Sequence, residues 1–224
     1  PDYVALTNMK LIPAAGAQDT NYVKHSQHVL NLLSRNSSLE DLHDFEVCLI
    51  LHMDDPNNPS LSALEREFKE TGSTHQALEE ALTHHINPLN HGAGYESFKM
   101  LQELHQAKSV RKALERRLED GKRIFGMGHR IYKTIDPRAR VLEEILQRRT
   151  EGTNEYWMHE IARQVAIIGA EVILDFKGVT VYPNLDLYNA AVYSTFGISP
   201  ELNTDLFAIS RAAGWVSHLI EMHD

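Results

Sequence analysis

Val179-Thr180-Val181-Tyr182 is the run whose reading decides the fold. Its β-branched and aromatic residues suit an extended, half-buried backbone. A strand needs a partner for its N–H and C=O groups, and no other run in the 224 residues reads as one. We therefore read 179–182 as an extended connection between helices, which makes the fold class all-α. Upstream, Glu155 to Phe176 reads as one long helix with Ile161, Val165, Ile168 and Ile173 on its apolar side. Downstream, Pro183-Asn184-Leu185-Asp186 reads as a helix start with Leu187 to Phe196 following, and Ser199-Pro200-Glu201 caps a last segment reaching Met222.

Farther from that run the helical pattern continues. Residues 1–20 are ambiguous, and Asn21 to Asn36 carries the stripe Val23, Val29, Leu30, Leu32 and Leu33. Asn36-Ser37-Ser38 breaks this helix. Ser38 then reads as the N-cap of a helix through the very apolar Phe45–Leu51, with Glu40 and Asp41 at its positive end. Turn formers from Asp54 to Pro59 end it. Ser60 reads as the cap of a short polar helix to Glu70, Gly72-Ser73 stops it, and Thr74 to Ile86 is helical again. Further helices are expected over Gly94–Ala107, over Val110–Lys122 behind a Ser109 cap, and over Arg138–Arg149. Pro137 suits the first turn of the last of these, which directs Val141, Leu142, Ile145 and Leu146 inward. The count is roughly ten helices, without internal repeats or a low-complexity linker.

Composition narrows the function. A chain of this length buries one sizeable core. The formal charge of −9 argues against a nucleic-acid partner, which calls for a basic balance and a basic patch. The basic residues that do occur gather at 108–148, which allows a local anion site. The lone Cys48 lies in the apolar run Val47–Leu51 and reads as a small buried hydrophobe. One cysteine makes no disulfide framework, so a cytoplasmic location, or the mitochondrial matrix in a eukaryote, is expected. No apolar run reaches the roughly 20 residues of a membrane span, so no membrane partner is expected, and no signal peptide is visible behind Pro1.

The chemistry gathers in Gly126-Met127-Gly128-His129-Arg130-Ile131-Tyr132-Lys133-Thr134-Ile135-Asp136-Pro137-Arg138. Two glycines allow a tight turn and a close backbone approach, and a histidine suited to proton transfer near neutral pH follows at once. Asp136 and Arg138 are either a structural ion pair or an acid that orients a guanidinium toward a carboxylate, for which the arginine fork is suited. Asp186 reads either as an ordinary acid of a first helical turn or as a catalytic carboxylate. Arg211 lies beside Ala212, Ala213 and Gly214, small residues that permit close approach of another group. His84, His85 and His91 match no zinc spacing, so no metal is expected. The Gly-x-Gly pieces follow no strand and are not a dinucleotide fingerprint.

Taken together, these residues resemble the citrate synthase family. Gly126–Lys133 with Asp136-Pro137-Arg138 is similar to the family's signature. Leu51-His52-Met53-Asp54 resembles its Leu-His-Ala-Asp segment, and Pro88 to Leu101 its His-Gly-Gly-Ala segment. Tyr182–Asp186 resembles its Asn-Val-Asp segment, and Phe207–Trp215 its late arginine helix. The resemblance runs from about residue 5 to the end. It implies an all-helical citrate synthase-like fold, with 1–90 as part of a large domain, 91–196 as a small domain with the catalytic loops, and 197–224 as a helix returning to the large domain. It also implies a homodimer that condenses acetyl-CoA, or another acyl-CoA, with oxaloacetate or a related 2-oxo acid, with CoA as substrate and no permanently bound cofactor.

Carried over by position, the resemblance makes Asp186 the base, His129 the acid that polarises the ketone, and Arg138 and Arg211 carboxylate clamps, with His52 beside the oxo acid. The backbone around Ile124–Gly128 borders the CoA adenine, including Gly126, and Lys122, Arg123, Arg130 and Lys133 are placed for its phosphates. Two positions depart. Asp55 stands where the family has a histidine that binds the oxo acid, and an aspartate there repels a dianion. In an ungapped alignment Asn90 takes the place of the enol-stabilising histidine, and His91 follows one residue later. One residue turns a helical side chain by about 100°, so His91 serves only if a residue is inserted; otherwise Asn90 is left as the donor. The family's preceding large-domain helices, and a tail with a further arginine that crosses the dimer, fall outside this sequence. The same departures leave a second reading open, a catalytically impaired structural, assembly or CoA- and metabolite-binding protein.

Overall fold

The apolar helix around Phe45 is the centre of packing. In the computed structural model, which describes residues 25–34, 38–55, 58–87, 92–130 and 132–223, it runs over Leu39–His52 (α2) and buries Phe45, Cys48, Leu49 and His52. Its start is as expected: Ser38 accepts from Asp41 N–H while the Asp41 carboxylate accepts from Ser38 N–H, a reciprocal cap that satisfies two orphan donors. Burial pushes the Cys48 thiol up, in keeping with a packed hydrophobe. Before α2 lies α1 (His25–Leu33). What was expected of 1–24, Asn36, Ser37, Pro56, Asn57 and Pro88–His91 falls outside the described residues, as does Ile131.

After α2 come α3 (Pro59–Thr71) and α4 (Thr74–His85). The cap of α3 is Asn58 rather than Ser60, because Pro59 takes the first helical position and the Asn58 side chain reaches Ser60 N–H at 2.9 Å. Gly72 ends α3 at φ 65°, a left-handed turn that costs glycine little. Then follow α5 (Ala93–His105), α6 (Val110–Glu119), α7 (Pro137–Thr150), α8 (Trp157–Gln164), α9 (Ala170–Lys177), α10 (Asn189–Ser194) and α11 (Asn203–His223). Two short 3₁₀ turns, Leu185–Leu187 and Pro200–Leu202, precede α10 and α11.

Among the described residues there is no strand, and the run 179–182 is extended, as read. It does find a partner, though a brief one. Met127 and Pro183 form an antiparallel bridge. Gly128 N–H donates to the Tyr182 carbonyl at 2.7 Å, and Asn184 N–H donates to the Gly126 carbonyl at 2.9 Å. The long helix expected over Glu155–Phe176 is interrupted by a π-helical turn, Val165–Gly169, between α8 and α9. A Cβ on Gly169 in this wide turn would lie 3.7 Å from Ile124 and 3.8 Å from Met127 of the glycine loop, ordinary contact distances.

α11 is the second organising helix. It crosses the C-terminal end of α2 so closely that a Cβ on Gly214 would strike the Met53 carbonyl, which bears out the close approach read from its small residues. The farther end of α11 buries Trp215 and Leu219 against Leu61, Leu64, Ala77 and Ala81 of the α3–α4 hairpin. Part of the basic cluster at 108–148 is spent within the fold: Arg148 binds Asp44 at 2.6 Å, and Arg117 binds Glu103 at 2.5 Å.

Candidate functional site

Where the glycine loop, the 183–187 turn, the first turn of α5 and the start of α11 meet, a cavity of about 180 Å³ opens. His129, Arg138, Asp186 and Asp55 share its wall. Three residues chosen from the sequence therefore come together, with the departure at Asp55 facing them.

The glycine loop is shaped by its contact with the turn. Gly126 has φ 74°, and a Cβ there would lie 2.6 Å from the backbone Cα of Leu187. No side chain fits, and the strand-like pairing just described holds the two segments together. Asn184 adds to it: its Nδ2 donates to the Gly128 carbonyl at 2.5 Å while its Oδ1 accepts from Asp186 N–H at 2.9 Å. One side chain thus ties the residue before His129 to the amide of Asp186.

His129 is set as a hydrogen-bond donor. Its Nδ1 accepts from Tyr132 N–H at 3.2 Å, so the proton of the neutral ring sits on Nε2. Burial and the Arg138 charge hold its pKa below the usual histidine value. Arg138 Nη2 lies 3.4 Å from Nε2, and its charge disfavours a second proton on the ring. Arg138 is itself held: the Asp136 carboxylate accepts from its Nε at 3.0 Å and its Nη2 at 2.9 Å. Asp136 is fully buried and also caps α7 through Arg138 N–H at 3.0 Å. Both readings of the Asp136–Arg138 pair are thus present in one geometry, an ion pair that also fixes the direction of the guanidinium.

Asp186 is partly buried, and loss of hydration raises its carboxyl to about 6, against the pull of Arg138 and of Asn189. Asn189 Nδ2 donates to Oδ1 at 3.3 Å. A carboxylate with this proton affinity is a competent base near neutral pH. Asn189 and Asn203 crowd Gly94 so closely that a Cβ there would collide with both amides. Asn203 and Asn58 also line the cavity, and Asn203 Oδ1 is buried with no partner. Sequence reasoning passed over all three asparagines, since an asparagine at a helix start carries the ordinary meaning of a cap.

Arg211 and His52 lie just behind the wall. Arg211 is 1% exposed, its Nε donates to the His52 carbonyl at 2.7 Å, and its guanidinium carbon lies 5.0 Å from the Phe207 ring centre. Nη1 and Nη2 have no hydrogen-bond partner among the described residues. Burial lowers its pKa to about 10, with Asp55 opposing and Arg138 reinforcing the shift; it stays charged at neutral pH. The His52 ring is buried against Phe207 at 4.4 Å and burial lowers its pKa to about 4. Its Nδ1 lies 2.5 Å from the Cys48 carbonyl. The ring is thus off the cavity wall, and its link to the site runs through the main-chain carbonyl that holds Arg211.

Ile124 and Gly126 are buried, and Gly128 is engaged through both its N–H and its carbonyl as described. Arg123, Arg130 and Lys133 are exposed. A second cavity of about 400 Å³, lined by Gly128, Tyr132, Lys133 and the 180–182 run, also touches His129. Asn90 and His91 lie outside the described residues; the α5 start that follows them, Gly92 to Gly94, lines the first cavity.

The fold is all-helical, and it brings His129, Arg138 and Asp186 to one cavity with Arg211 just behind the wall. The chain belongs to the citrate synthase family, matching the family described as "Citrate synthase, C-terminal domain" over residues 5–224. It is 30% identical over 214 residues to citrate synthase 2 of Bacillus subtilis, an alignment covering 96% of this chain and 55% of that protein. Among solved structures it is similar to citrate synthase of Thermoplasma acidophilum in ternary complex with carboxymethyl coenzyme A and oxaloacetate, at TM-score 0.79 and 27% identity over 99% of this chain and 58% of that one. It is also similar to citryl-CoA lyase of Hydrogenobacter thermophilus, at TM-score 0.72 and 26% identity over 90% and 77% of the two chains. The chain spans about half the length of the curated relatives it matches.

Proposed function

We propose that the protein condenses an acyl-CoA with a 2-oxo acid by a Claisen-type reaction. The observation that carries this reading is the shared cavity of His129, Arg138 and Asp186. Asp186 removes a proton from the carbon next to the thioester, a task suited to a carboxyl raised to about 6. The backbone amides at the start of α5 are available to the developing enol oxygen, and the family resemblance assigns the side-chain donor to Asn90 or His91. His129 donates from Nε2 to the ketone oxygen as the enol carbon attacks, and Arg138 and Arg211 take the carboxylate. Hydrolysis of the new thioester then releases CoA. The CoA arm follows the second cavity past Lys133, with Arg123 and Arg130 nearby for its phosphates. Acetyl-CoA is the simplest donor, and the family resemblance supports a homodimer.

The test is thiol release on the complete protein with acetyl-CoA and a panel of 2-oxo acids. Release is expected with at least one acid and should vanish in Asp186→Ala and His129→Ala. A complete protein that binds CoA but releases no thiol with any acid favours the second reading, a binding or assembly subunit, which Asp55 on the cavity wall motivates.

A further inference from the structure

We infer that Asn189 is the positioning residue of Asp186, and that the bare backbone of Gly94 provides the room its amide needs. The inference rests on the proposed reading, in which Asp186 is the base, and adds the group that aims its carboxylate. Asn189 follows Asp186 by three residues, across the 3₁₀ turn Leu185–Leu187, a geometry that sets side chains three apart over one another. It is 0% exposed, and its amide has a fixed sense. Oδ1 accepts from Ala190 N–H at 2.7 Å, so the Nδ2 end is the one presented to Asp186 Oδ1, at 3.3 Å. Asn184 holds Asp186 from the other side, accepting from its backbone N–H at 2.9 Å. The base is thereby held at its main chain and at one carboxylate oxygen.

Gly94 is the counterpart on α5. It lines the same cavity, and a Cβ there would stand 2.4 Å from Asn189 Oδ1 and 2.4 Å from Asn203 Nδ2. A methyl at 94 therefore turns the Asn189 amide away from the carboxylate. A donor to an ionised carboxyl favours the ionised form, and Asn189 does this without a charge of its own. The charged and titratable groups that face Asp186 are Arg138 and Asp136 at the start of α7, Arg123 before the glycine loop, His129 within it and Asp55 after α2. Neither Asn189→Ala nor Gly94→Ala removes any of them. Asn189 thus governs both the direction of the base and the pH at which it is ionised.

The test uses the complete protein with isotope-labelled aspartate, the Asp186 carboxyl being assigned by its loss in Asp186→Asn. NMR titration then reads the hydrogen bond without requiring turnover. In Asn189→Ala the Asp186 midpoint is expected to rise by about one pH unit. Gly94→Ala, which leaves both side chains in place, should move it the same way, and the double variant no further than Asn189→Ala alone. Should Asn189→Ala fail to fold, Gly94→Ala carries the same test. Thiol release should show the acid limb of its pH profile moving upward with the midpoint. It should also show kcat falling about tenfold or more with KM for the oxo acid within about twofold. An unmoved midpoint in Asn189→Ala, or a change in KM alone, overturns the inference and leaves the condensing reading standing. Additive shifts in the double variant overturn the part given to Gly94. Thiol release that survives Asp186→Ala overturns the condensing reading itself, and with it the role of Asn189.

Discussion

His129, Arg138 and Asp136 hold one another on one wall of the cavity, and Asn184 ties that wall to Asp186. Behind the opposite wall, Arg211 is hydrogen-bonded through Nε, and its two terminal nitrogens have no hydrogen-bond partner among the described residues. The first wall is preorganised: Asp136 fixes Arg138, and Tyr132 N–H fixes the His129 ring, before any ligand arrives, so binding costs little rearrangement. The second stores unfavourable energy, since a buried guanidinium short of partners is costly. An anion is the natural means of relieving it. The difference separates residues that keep the fold's geometry from residues that the fold tolerates for the sake of a ligand.

The largest expected effect breaks the first wall. Gly126→Ala must adopt φ near 74° and drive its Cβ into the Leu187 backbone, where no rotamer change helps. A loss of about 3 kcal/mol or more is expected, read by chemical denaturation. Gly128→Ala is the control within the same loop. Its φ is also positive, but the nearest atom to its Cβ is a Val181 methyl at 3.6 Å, so only about 1–2 kcal/mol should be lost. Equal losses in the two variants would mean that the close approach to Leu187 does not govern the loop.

The opposite wall should respond in the opposite sense. Arg211→Met removes a buried charge of about the same volume and is expected to stabilise the protein by about 1–2 kcal/mol. The same change should weaken oxo-acid binding by about 100-fold. A destabilised variant with unchanged binding would show that Arg211 belongs to the fold and not to the site.

A smaller effect tests Asp186. Its carboxyl is raised from 3.8 to about 6 in the folded protein, so the folded state holds a proton that the unfolded chain has lost. Stability therefore falls as pH rises from about 4 to 6 and stays lower above that window. Asp186→Asn should be more stable than the natural protein at pH 7, by about 1–2 kcal/mol given partial exposure of the group, and equal to it near pH 3.5. Thermal unfolding at the two pH values reads the difference. If the variant is no more stable at pH 7, burial is not what raises this carboxyl.

Much of the frame was legible in the sequence because it depends on local rules. Ser38, Gly72, Ser109 and Pro137 act as caps, stops and starts where their chemistry predicts, and Gly214 marks a close helix crossing. The grouping of His129, Arg138 and Asp186 followed from the motif resemblance rather than from spacing, since Asp186 lies far from the others along the chain. Other features left no local mark. The π turn lies in Val165-Ala166-Ile167-Ile168-Gly169, an apolar run that reads as ordinary helix until its packing on Ile124 and Met127 is known. The position of the His52 ring behind the wall, and the lack of partners at Arg211, are set by how α11 crosses α2. Such tertiary facts have no periodicity to betray them.

The small bridge between Met127 and Pro183 has a mechanical consequence. Together with Asn184 it joins the carrier of His129 to the carrier of Asp186, so those two side chains keep their separation when other parts move. Arg211 is fastened elsewhere, through the His52 carbonyl to the end of α2. A hinge that opened or closed this cavity would run between the His129–Asp186 unit and the buried arginine, and a ligand spanning the two would act as its latch.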